Sequence, residues 1–121
     1  MQVRTVMITK AIVGLVLGVV VLAVPGISAS LFGVTLDAGG ALAFRLYAAS
    51  AVGHGCANWF ARNSGPSEAR RALILGGFVY DGIGFVVALV AVLSGAMNPL
   101  GWLAVILYLL LTVGFGYFLV R

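Results

Sequence analysis

Long apolar runs separated by short polar breaks organise this chain. The first run covers about residues 6–24 and stops at Pro25-Gly26, where a proline and a glycine interrupt any helix. A broken stretch follows, in which Ile27, Leu31, Phe32, Val34 and Leu36 alternate with Gly, Ser and Thr up to Asp37; it is too short to span a bilayer and is expected to lie along its interface. The second run covers 38–61 and ends at the polar turn Arg62-Asn63-Ser64-Gly65-Pro66-Ser67. The third covers 69–93, and after Ser94, Gly95, Asn98 and Pro99 the fourth covers 100–120. Each run approaches or exceeds the ~20 residues that a helix needs to cross a bilayer, and none has the two-residue alternation of a barrel strand. The pattern predicts an all-α membrane protein: one domain over 1–121, built as a four-transmembrane-helix bundle.

Composition narrows the class. Of 121 residues, 63% are hydrophobic and 8% charged, with a mean hydropathy of +1.20, which excludes an ordinary soluble domain and leaves no length for a separate one. A formal charge of +4 would suit a nucleic-acid binder if the cations formed a stripe with aromatics between them. They sit instead between the apolar runs. With four crossings, Arg4, Lys10, Arg62, Arg70, Arg71 and Arg121 all fall on one side and the other side has no Lys or Arg, which by the positive-inside bias predicts cytoplasmic amino and carboxyl termini. Arg4 and Lys10, the apolar run and the small residues Ser28, Ala29 and Ser30 also follow the order of a cleaved leader; the reading adopted is an uncleaved first helix.

Three ionisable side chains, Arg45, His54 and Asp81, fall inside the predicted spans, where their cost in lipid makes them functional candidates. Arg45 and His54 are separated by about 900° of helical rotation and so occupy opposite faces. Tyr47, Ser50, His54 and Asn58 form one polar stripe on the second helix, which must face protein, water or a bound molecule, and they are the candidate binding residues. On the third helix Gly77, Asp81, Gly84 and Ala88 share a face, small residues around one carboxylate that a neighbour can approach. Depth along the membrane normal offers Asp81 either His54 or Arg45 as partner, in an intramembrane ion pair or a proton site. His54 stands between Gly53 and Gly55, open enough to ligate a haem or chlorophyll-type macrocycle, to touch a quinone or lipid, or to pack through hydrogen bonds. One histidine per chain would need a second copy or a partner for bis-histidine ligation.

Other residues read as structural. Gly14 and Gly18 make a Gly-x-x-x-Gly pair for close helix packing. Asp37 is expected to cap the second helix. Trp59, Trp102 and Tyr117 suit membrane boundaries, and Tyr108 and Thr112 share a face of the last helix. Cys56 alone supports neither an intramolecular disulfide nor a His-Cys metal pair, and no metal site or catalytic residue is assigned.

The segment from Ala43 to Arg62, AFRLYAASAVGHGCANWFAR, with the Leu31-Phe32-Gly33 turn and the Gly101-Trp102 start of the last helix, resembles small bacterial four-helix membrane proteins of the DoxX-like group. The resemblance implies the same fold over nearly the whole chain and a location in a bacterial inner membrane; it carries no catalytic residues. Small multidrug transporters match in length only, because the first helix here has no acid. The absence of a Gly-x-Ser-x-Gly element removes a serine hydrolase, and one cysteine removes a dithiol oxidoreductase. The expectation is a non-enzymatic membrane module, an accessory subunit or scaffold that packs against itself or a larger complex. Two alternatives stand beside it: a binder of a quinone, lipid or pigment near His54, and a proton-coupled transporter using Asp81.

Overall fold

A computed structural model describes residues 2–121, and all its regular structure is helical: α1 (Val3–Ala23), α2 (Pro25–Ser30), α3 (Ala38–Ala61), α4 (Glu68–Leu93) and α5 (Gly101–Leu119). The boundaries follow local chemistry. Pro25 sits in the first turn of α2, where its missing N–H costs nothing. Asp37 caps α3, its Oδ1 accepting from the Gly40 N–H at 2.6 Å, and Ser67 caps α4 by accepting from the Arg70 N–H at 3.1 Å. Gly33 and Gly95 take φ of +75° and +82° in the turns that follow α2 and α4.

Three of these helices, α1, α4 and α5, are long and apolar enough to cross a membrane. The remaining long helix, α3, has 24 residues and a length of ~36 Å, but its polar stripe and glycines dilute its hydropathy.

Small residues set the packing. Across the α1/α3 contact, a β-carbon at Gly14 would meet the Ala51 carbonyl oxygen at 2.7 Å, and one at Gly55 would meet the Leu15 side chain at 2.9 Å. Backbones approach there because nothing larger fits. Across α4/α5, Gly77 receives the Phe115 ring and Gly84 the Tyr108 ring, where added β-carbons would stand 2.7 and 2.5 Å from ring atoms. The small-residue face of α4 is therefore filled by aromatics of α5. Val6 of α1 lies over Gly114 of α5. The helices thus form a ring in the order α3, α1, α5, α4, closed by a sparse contact between α4 and α3.

The chain runs up and down. At one end Val6, Met7, Ile74 and Phe115 form a buried cluster, with Val3, Ala61, Leu73, Phe118 and Leu119 against it, so the start of α1, the end of α3, the start of α4 and the end of α5 lie together. At the other end the two loops are tied. The Asn98 N–H donates to Phe32 O at 2.8 Å and its Nδ2 to Leu31 O at 3.0 Å, while its Oδ1 accepts from the Leu100 N–H.

Candidate functional site

Two polar links cross the centre of the ring along its diagonals. Lys10 of α1 reaches α4, placing Nζ 2.6 Å from Asp81 Oδ1, although the backbones of α1 and α4 do not approach closely. Lys10 is 5% and Asp81 0% exposed, so both charges are out of solvent and each compensates the other. The Lys10 ammonium also lies 4.2 Å from the centre of the Tyr80 ring, a cation–π contact. On the other diagonal the Tyr47 hydroxyl of α3 meets the Tyr108 hydroxyl of α5. Ser50 Oγ donates to Tyr47 O and lies 3.4 Å from the Tyr80 hydroxyl. Asp81 Oδ2 is buried with no protein partner.

This arrangement corrects the expected pairing of Asp81. Its carboxylate meets neither Arg45 nor His54. Arg45 stands near the far end of the molecule, where its Nε–H donates to Leu22 O at 3.4 Å, one of the last carbonyls of α1, and its charge complements that helix terminus. Lys10 is in turn no peripheral cation. Its Cα lies about two turns into α1, and the flexible stem carries the ammonium to the interior, so it leaves the set of charges at the chain-terminal end. Arg4, Arg62, Arg70, Arg71 and Arg121 remain there.

The α3 stripe divides. His54 donates from Nδ1 to Ser50 O at 2.8 Å, since a carbonyl only accepts, and this tautomer leaves Nε2 as the ring nitrogen with a lone pair. The imidazole packs on Tyr80 with ring centres 4.6 Å apart. Asn58 turns into the interior, 1% exposed, donating to His54 O at 2.9 Å while its Oδ1 finds no protein partner. Thr112 spends its hydroxyl on Tyr108 O.

Because α3 and α4 touch only sparingly, a groove of about 380 Å³ opens between them, lined by Ser50, Gly53, His54, Ala57 and Leu73. Gly53 faces open space, with nothing within 4 Å of where a β-carbon would stand. Of the stripe, Ser50 and His54 thus reach the groove, while Tyr47 and Asn58 do not line it. The groove is apolar apart from Ser50 and the imidazole, so it suits an apolar body with one polar group. Among the described residues no cluster of His, Cys, Asp or Glu has the numbers to hold a metal ion.

Comparison of the chain with protein-family models, curated proteins and solved structures finds no match.

Sequence reasoning missed the Lys10–Asp81 pair and the role of Asn98. A sign of the first was available, since Lys10 is followed at once by the apolar run from Ala11, and Asp81 needs a cation within reach.

Proposed function

We propose that this protein is a non-enzymatic, multi-pass membrane protein that holds a small apolar molecule in the groove between α3 and α4. In this reading all four long helices cross the bilayer and the arginine-bearing end, with both termini, faces the cytoplasm of a bacterium, in keeping with the resemblance to DoxX-like proteins. The observation that carries the binding reading is the groove itself: an open, mostly apolar groove between α3 and α4 beside Nε2 of His54, the ring nitrogen left without a hydrogen-bond partner. A hydroxyl or other donor on a quinol, sterol-like lipid or pigment would meet that lone pair, while its apolar body would lie along Gly53, Ala57 and Leu73. The Lys10–Asp81 and Tyr47–Tyr108 links tie the diagonals of the bundle, and the Tyr80 contacts with Ser50 and His54 bridge α3 and α4 beside the groove.

The accessory-subunit alternative draws on few polar groups and many packing glycines. Gly14, Gly55, Gly77, Gly84 and Gly114 are all occupied by contacts within the chain, which favours the groove over a partner helix as the functional surface.

The test is the content of the purified protein. Wild type extracted in mild detergent should retain an apolar compound, read by absorbance and by mass spectrometry of an organic extract. His54→Phe, which keeps the ring and removes the acceptor, should lose it while keeping its helical circular dichroism. Equal content in both proteins, or none in wild type, would overturn the proposal.

A further inference from the structure

At the chain-terminal end, a cavity of about 320 Å³ lies between the start of α4 and the end of α5. Arg70, Arg71 and Arg121 line it together with Ile74 and Phe118. Among the described residues the Lys10–Asp81 contact is the only salt bridge, so none of these guanidiniums is neutralised by a carboxylate. Arg70 donates to Ser64 O and Arg121 to the Tyr117 hydroxyl, contacts that hold the side chains in place without cancelling charge. The nearest acid in sequence, Glu68, is committed to no arginine. A cavity of this size is sufficient for a small ligand.

We infer that this cavity binds the headgroup of an anionic phospholipid, its phosphate against Arg70, Arg71 and Arg121 and the upper part of an acyl chain against Ile74 and Phe118. The guanidinium fork matches phosphate oxygens, and a basic pocket between membrane helices places such a group where the lipid charge lies. A free phosphate would use the arginines but leave the apolar wall empty. The observation that decides for the lipid is that one cavity is lined both by the cations Arg70, Arg71 and Arg121 and by the apolar Ile74 and Phe118. The inference rests on α4 and α5 crossing a membrane and is independent of the His54 groove.

The experiment uses the full chain in vesicles made of equal parts phosphatidylglycerol and phosphatidylcholine, followed by gentle extraction and native mass spectrometry of retained lipid. Wild type should retain phosphatidylglycerol in preference to phosphatidylcholine. Arg71→Gln/Arg121→Gln should weaken that preference roughly thirtyfold, the loss of two phosphate-facing cations. Arg4→Gln/Arg62→Gln removes the same charge from the same end outside the cavity and should leave the preference nearly intact. An equal loss in both double variants would show a diffuse surface field and overturn the site. Complete displacement of the lipid by millimolar inorganic phosphate would show that the apolar wall contributes nothing, and would overturn the phospholipid assignment. His54→Phe should retain phosphatidylglycerol as wild type does, which separates failure here from failure of the groove.

Discussion

Replacing Lys10 by Met leaves Asp81 as an isolated carboxylate at a position of 0% exposure. At 2.6 Å the gross attraction of the pair is ~6 kcal/mol with an effective dielectric of about 20. Desolvation of the two ions, at several kcal/mol each, consumes that gain, so the intact pair is close to neutral for stability while breaking it costs ~3–5 kcal/mol. Lys10→Met should therefore destabilise by that amount. Asp81→Asn should cost less, because the freed ammonium, only about two turns from the start of α1, can swing along its stem toward water. Asp81 has no such stem. The double variant Lys10→Met/Asp81→Asn should recover at least half of the loss seen in Lys10→Met. Unfolding by added SDS in mixed micelles, followed by circular dichroism, gives the four corners of the cycle. Additive effects, with the double variant as unstable as the sum of the singles, would refute the buried pair.

Other consequences are simpler. Gly77→Leu forces a side chain into the Phe115 ring and should cost ~1–3 kcal/mol in the same titration, whereas Gly76→Leu, which faces open space, should be close to neutral. Gly14→Val should push α1 from α3, where a β-carbon already meets a carbonyl at 2.7 Å, and should lower stability at least as much. Asn98→Ala removes the side-chain bonds to Leu31 O and the Leu100 N–H and leaves the backbone N–H bond to Phe32 O without their support, so amide exchange at 31–34 should rise by tenfold or more for a loss of about 1.5 kcal/mol. Asp37→Ala should cost ~0.5–2 kcal/mol, and Asp37→Asn much less, because an amide oxygen can still accept from the Gly40 N–H.

The helices were legible in the sequence because their ends carry local signals. Pro25, Asp37, the Gly65-Pro66 break and Gly95 stop or start helices through their own backbone chemistry, and the observed ends lie within a few residues of the predicted ones. The four-helix ring was legible less directly: Gly77 and Gly84 announced a close neighbour on α4 but not that Phe115 and Tyr108 of α5 would fill the space. The Asp81 partner was hinted at only by the place of Lys10 against the apolar run, because depth counted from backbone positions misses it and α1 and α4 face each other across a diagonal that no local pattern specifies. A lysine reaches further from its Cα than such counting allows. The groove beside His54 depends on how α3 and α4 approach, where Tyr80 of α4 meets Ser50 and His54 of α3, residues far apart in the chain. Helical periodicity put Asn58 and His54 on one stripe, yet a rotation of about 40° between them suffices to bury the amide while the imidazole reaches the groove.

The account turns on α3 crossing the bilayer despite its polar stripe, since only then do the diagonal links and the groove sit at membrane depth. Single cysteines at Thr35 and Ser64, in a Cys56→Ala background, bracket that helix and can be labelled on intact cells with a membrane-impermeant maleimide before and after permeabilisation. The account predicts labelling of position 35 from outside and of position 64 only after permeabilisation. Both positions reacting from the same side would contradict it.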